Sequence, residues 1–147
     1  MLDGLFVTPA VTAITEALGT ANAAGTVAVI GDAKLAVALG ATREVVPVGL
    51  SARAAKKLAA ALPDASTIEP RSLAAVIGID VATSDTWAET VRAWSRLVRD
   101  GGAIIFVDKG HAAEASRRAL CSGLTELEQR HAGRSVITSG LVTHLAQ

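Results

Sequence analysis

Short, uninterrupted apolar runs alternate along this chain with stretches whose apolar positions recur at helical spacing, and turn residues stand between most neighbours. Thr8 and Pro9 read as a helix start, a capping side chain with proline at the first helical position; Val11, Ile14 and Leu18 follow and Gly19 ends the helix. The turn-rich ANAAGT leads into VAVI, a short buried strand. AKLAVALG then brings good helix formers and a closing Gly40, so strand, tight turn and helix succeed one another directly. EVVPV is a second strand containing Pro47, a residue tolerated mainly at sheet edges or bulges.

The alternation continues. Ser51 caps a helix over ARAAKKLAAAL, with an Ala and Leu face for the sheet and Arg53, Lys56 and Lys57 in water. Pro63 and Asp64 break it; STIE reads as a third strand and LAAVIGI as a fourth, closed by Asp80. Thr86 and Glu89 form a capping box for the next helix. Trp87, Val91, Trp94 and Val98 share its core face, while Arg92, Arg96 and Arg99 form a solvated stripe. Gly101 and Gly102 stop this helix, AIIFV is the fifth strand, and GHAAEASRRALCSG is a helix ending near Gly123. There the pattern changes. LTELEQR and SVITSGLVTHL are joined by HAGR alone, a connection short enough for a hairpin with Gly133 as the turn residue and His131 in the turn.

Strands joined through helices make right-handed parallel units, and strands apolar on both sides need helices on both faces. The pattern therefore predicts an α/β fold: a doubly wound, mostly parallel sheet with helices on both faces and a C-terminal antiparallel hairpin. A length of 147 residues suits a single domain, with an N-terminal helix and linker over 1–25 and a sheet core over 26–144. Half the residues are hydrophobic but aromatics make up 3% and Tyr is absent, so Val, Leu, Ile and Ala must build the core. Fourteen basic residues balance fourteen acidic ones, which gives no reason to expect nucleic acid or a membrane surface as partner. Cys121, the single cysteine, excludes an intrachain disulfide and reads, within ALCSG, as a small buried hydrophobe. MLDGLFVTP has an acid where a signal peptide carries bases, and no apolar run approaches the roughly 18 residues of a membrane span, so a cytoplasmic location is expected.

WSRLVRDGGAIIFV and VVPVGLSARAAKKLA, with the closing hairpin, resemble the class I S-adenosylmethionine-dependent methyltransferase family over Thr26 to His144. The first is similar to that family's helix, glycine pair and fifth strand, the second to its second strand and following helix. The resemblance implies a seven-stranded doubly wound sheet and, for an active member, S-adenosylmethionine as cofactor. A dinucleotide-binding Rossmann domain is the alternative, because Gly31, Ala33 and Ala36 occupy the positions of G-x-G-x-x-G/A. The closing hairpin favours the methyltransferase-like arrangement.

Ligands of open parallel sheets sit beyond the carboxyl ends of the strands, which puts the candidate site around Gly31, Asp32, Gly49, Asp80 and Asp108. The family's glycine-rich turn is replaced here by IGDAKLA, in which Ala33 and Lys34 put side chains where bare backbone is needed. The acid with which the family holds both ribose hydroxyls is matched here by Gly49. Losing a charged acceptor removes on the order of 1.5–3 kcal/mol per contact, or about one to two decades of affinity. Gly31, Asp32, Ala33 and Gly49 thus read as a vestigial cofactor site. Asp32 serves as a helix cap or a contact to an adenosyl or amino group. Asp80 is the general base if the site is active and a turn cap otherwise, and Asp108 with His111 serves acid/base work or starts a helix. His111, His131, His144 and Cys121 show no zinc spacing, so no metal site is expected. The expectation is a degenerate, non-catalytic methyltransferase-fold domain without a cofactor, acting as a structural or interaction module through a protein partner or self-association. A minimal S-adenosylmethionine-dependent methyltransferase is the first alternative and a dinucleotide-binding protein the second.

Overall fold

Successive residues of the VAVI strand serve opposite faces of the sheet: Val27 and Val29 pack into one core and Ala28 into another. The period of two explains why a strand with helices on both sides must be apolar throughout. The computed structural model describes residues 2–144 apart from 22, 23, 52, 54, 55, 57, 59 and 60, and of 2–8 only the course of the backbone. In chain order the elements are α1 (Leu2–Thr20), β1 (Val27–Ile30), α2 (Ala33–Gly40), β2 (Val45–Val48), β3 (Leu73–Ile79), α3 (Trp87–Leu97), β4 (Val98–Asp108), α4 (Ala112–Cys121), β5 (Thr125–Ala132) and β6 (Ser135–Leu141).

Among the described residues these strands form one six-stranded sheet in the order β2-β1-β3-β4-β6-β5. Strands β1 to β4 are parallel. β6 runs antiparallel to both β4 and β5, so the expected hairpin closes the sheet, with Gly133 at φ 63 in its turn. Strand order reverses between β1 and β3, the switch point at which such sheets open a crevice. α1 and α2 cover one face through Ile14, Leu18, Leu35 and Leu39, while α3 and α4 cover the other through Val91, Trp94, Ala115 and Ala119. Ile14 and Leu18 are fully buried, each contributing about 1.5–3 kcal/mol, so packing rather than propensity holds α1.

Pro47 lies on edge strand β2. Its carbonyl accepts the N–H of Leu62 at 2.8 Å on the side away from β1, so its missing donor falls on the outer edge and leaves the β1 ladder intact.

Several local expectations are corrected. STIE is no strand: Ala65–Thr67 forms a 3-10 turn because the Asp64 carboxylate takes the N–H of Ser66 at 2.8 Å, a local bond that competes with sheet pairing. Gly101 and Gly102 do not stop α3, which ends at Leu97. They form an irregularity inside β4, where Gly101 has φ 81 and a Cβ on Gly102 would lie 2.6 Å from the carbonyl of Ala74. The capping box is not made, since Thr86 bonds Ser84 through its backbone N–H and caps nothing with its side chain. α1 begins at Leu2, which puts Pro9 inside it. His131 pairs with Val136 within the hairpin strands rather than standing in the turn. Cys121 is exposed, because α4 buries Ala115 and Ala119, four residues apart on one stripe, and Cys121 falls off that stripe. The helix expected over 52–62 falls largely outside the described residues; Leu62, at its far end, makes a single parallel bridge to Val48.

Candidate functional site

At the carboxyl end of β1, Gly31 turns the chain at φ 80 and donates its N–H to the carbonyl of Val48 at 2.8 Å. Asp32 follows in extended geometry and caps α2, its carboxylate accepting the N–H of Leu35 at 3.0 Å. Ala33 is the first residue of that helix. At the end of β2, Gly49 has φ 71 and a Cβ built on it would meet nothing within 4 Å. The conformation favours glycine, while no described residue fills the space around it.

Asp80, after β3, is exposed and left-handed at φ 56, a conformation Asp tolerates better than most residues. Its backbone N–H reaches the carbonyl of Val107 at 2.9 Å, and its side chain caps nothing. Asp108 ends β4 and is 1% exposed. One carboxylate oxygen accepts the N–H of Ala82 at 2.8 Å. The other, Oδ2, is buried and has no donor among the described residues. An unmade bond of this kind costs about 1–3 kcal/mol. Burial pushes the Asp108 carboxyl above its usual value, and the neighbouring Asp80 charge adds to the rise against the opposing bond from Ala82.

Asp32, Asp80 and Asp108 meet in a cleft of about 170 Å³ that Leu35, Lys109 and Ser135 also line. Gly31, Ala33 and Gly49 are not among its lining residues. Ala33 instead borders a separate groove of about 510 Å³ with Lys34, Val37, Ala38, Ser51 and Arg53. The structure thus joins the three acids of the expected site and leaves Gly31, Ala33 and Gly49, three of the positions expected to hold the cofactor, outside the cleft's lining. Ser135 escaped the sequence reading. Its signal is the antiparallel register, which pairs Asp108 with Val136 and so brings the start of β6 to the end of β4.

The turn after β3 is held from two directions. Asp108 takes the N–H of Ala82, while Arg118 of α4 donates to the carbonyls of Val81 at 2.6 Å and Ser84 at 2.8 Å. The Arg118 guanidinium lies 5.3 Å from the centre of the Trp87 ring and also donates to Glu114 at 2.7 Å. Hydrogen bonds from Arg117 and Arg118 bring the Glu114 carboxyl down to about 2. His111 opens α4 at φ 57 without a side-chain cap, whereas His144 lies at the far end of β4, its Nε2 2.7 Å from the carbonyl of Val98. Among the described residues no three or more His, Cys, Asp or Glu are grouped so as to hold a metal ion, and no helix is long and apolar enough to cross a membrane.

No protein-family model matches the sequence, and no curated protein matches it. Solved structures do match. One from Methanococcus maripaludis, described as an S-adenosyl-L-methionine-dependent methyltransferase, gives a TM-score of 0.71 at 13% identity over 97% of this chain and 89% of that one. Another from Thermotoga maritima, described as a SAM-dependent methyltransferase with histamine N-methylation as its suggested activity, gives 0.71 at 14% identity over 96% and 93%. A chain of the Haloferax volcanii complex between a methyltransferase and its Trm112 methyltransferase activator gives 0.64 at 14% identity over 83% of each. At these identities the likeness is one of fold. The chain has a methyltransferase-like α/β fold with an antiparallel C-terminal hairpin, structurally similar to class I S-adenosylmethionine-dependent methyltransferases.

Proposed function

We propose that this is a methyltransferase-fold domain that does not transfer methyl groups and works as a protein-interaction module. The observation that carries the reading is the end of β2: Gly49 offers no carboxylate there, and no described residue fills the space a side chain would take. The ribose of an adenosyl cofactor therefore has no charged acceptor there. One further feature agrees. Ala33 and Lys34 bring side chains to the turn where the fold's cofactor needs open backbone. The solved Haloferax volcanii complex, in which a chain of similar fold is paired with an activator protein, supports the interaction reading.

The interaction surface on this reading is α1 or the hairpin. Outer strand β5 bears Glu126, Glu128 and Arg130, charges that discourage edge-to-edge strand addition, so association would use side-chain faces rather than a continued sheet. Thermal unfolding with and without excess S-adenosylmethionine and S-adenosylhomocysteine tests the cofactor half of the proposal. A bound ligand at 100 times its Kd stabilises by about 2.7 kcal/mol. No shift is expected, whereas a clear shift restores the reading of a minimal methyltransferase with Asp80 as its base. Sedimentation across micromolar concentrations, combined with recovery of partners from cells, tests the other half; a strict monomer with no partner contradicts it.

A further inference from the structure

Arg92 and Arg96 stand exposed on α3, four residues apart and so about 6 Å along its axis. Exposed Arg71 joins them at the end of that helix, its backbone N–H bonded to the carbonyl of Arg96 at 2.9 Å. Among the described residues none of these three side chains makes an ion pair, a hydrogen bond or a ring contact, whereas Arg117, Arg118 and Arg130 each hold a glutamate. Glu89, one turn before Arg92, forms no ion pair with it, and Asp100 is occupied by the N–H of His144 at 2.8 Å. Arg92 also lines a groove of about 190 Å³ between α3 and α4, together with Trp87, Ala88, Ser95, Cys121 and Ser122. We propose that this face docks an acidic segment of a partner protein, with carboxylates on Arg71, Arg92 and Arg96 and a neighbouring apolar side chain in the groove against Trp87. The proposal goes beyond the reading above: this face belongs to neither α1 nor the hairpin, and it stands whether or not a cofactor occupies the switch point.

Charge and spacing select the partner. A guanidinium presents a planar fork that matches a carboxylate, and Arg92 and Arg96 are held at a fixed separation by the helix that carries them. That separation equals the spacing of acids four residues apart on a partner helix. A single exposed ion pair contributes little, so an anchor beside the row is needed, and Trp87 with Ala88 gives the groove an apolar wall for it. A nucleic acid fits less well. The 14 basic and 14 acidic residues of the chain cancel, so no net positive field gathers a polyphosphate. Trp94 and Phe106 are buried, which leaves half-buried Trp87 as a lone ring where stacking of successive bases needs several.

The test is an amide NMR titration of the full chain with a blocked synthetic peptide of leucine and glutamate, its glutamates four residues apart. The same peptide with glutamine in place of glutamate, and single-stranded oligothymidylate, are titrated beside it. Saturable shifts are expected at Trp87, Arg92 and Arg96 with the glutamate peptide alone, fading as sodium chloride is raised. Arg92→Gln combined with Arg96→Gln keeps helix propensity and is expected to weaken binding about tenfold, the scale of two exposed pairs. Arg71→Asn, a residue suited to φ 59, tests the same row outside the helix with an expected loss of about threefold. Arg134→Gln, in the hairpin turn, removes a charge elsewhere and should leave affinity unchanged. Equal binding by the glutamine peptide, unchanged affinity in the α3 double variant and in Arg71→Asn, shifts confined to other residues, or no binding at all overturns the proposal. Oligothymidylate binding at the same residues overturns it in favour of a nucleic-acid partner.

Discussion

Trp94 packs so closely over Gly78 that a Cβ on the glycine would stand 2.1 Å from the ring's Cη2. The absent side chain in β3 is what lets the α3 indole reach the sheet. Gly78→Ala forces the ring or the strand to move, an overpacking cost of about 1–3 kcal/mol. Urea unfolding followed by tryptophan fluorescence should show a lower midpoint and an altered native spectrum. An unchanged midpoint would mean that the ring relocates freely.

Arg118 fastens the turn after β3 to α4 through the carbonyls of Val81 and Ser84. Arg118→Ala is expected to cost about 2 kcal/mol, at the scale of hydrogen bonds to a charged group. It should also speed hydrogen exchange at Ala82, whose N–H is held by Asp108 within the turn that Arg118 fastens. Arg118→Lys should recover only part of the loss, because an ammonium lacks the fork that serves two carbonyls and Glu114 together.

Glu114 and Asp108 impose opposite pH dependences. Glu114 sits at about 2 when folded, below its usual 4.5, so its contribution is present above pH 4.5 and is lost as pH falls toward 2. Asp108 is raised above its usual 3.8, chiefly by burial, so the folded chain holds that proton more tightly and stability declines as pH rises from 3.8 through the folded value. Urea unfolding at a series of pH values should climb from pH 2 to 4.5 and fall beyond. Asp108→Asn should remove the fall and keep the climb.

The fold was legible because its strongest signals are local. VAVI, LAAVIGI and AIIFV are apolar on both sides, and only a strand between two helical layers needs that pattern. The misreadings arose where side-chain chemistry decided. STIE has β-branched residues, yet the Asp64 carboxylate folds it into a 3-10 turn. Gly101 and Gly102 resemble a helix stop, yet Gly101 supplies φ 81 inside the strand and Gly102 lets it pass Ala74 and Val98 at close range. The site was legible in its acids, which each stand at or just beyond the end of a strand. Its Ser135 depended on hairpin register, which no single stretch of sequence specifies.

If the cofactor function was lost at Gly49 and Ala33, restoring both should regain some of it. Gly49→Asp suits the position, since Asp tolerates a positive φ and no described residue fills the space. Combined with Ala33→Gly, it should raise affinity for S-adenosylhomocysteine by about one to two decades per recovered ribose contact. Equilibrium dialysis of the double variant beside the natural chain measures the gain, and equal binding by the two would place the lesion elsewhere.

Calorimetric titration of the natural protein with S-adenosylhomocysteine tests the central claim most directly. The account predicts no saturable heat at millimolar ligand, with the unfolding midpoint unmoved. A single-site isotherm with micromolar Kd, abolished by substitutions lining the switch-point crevice, would contradict it and mark the chain as a working cofactor binder.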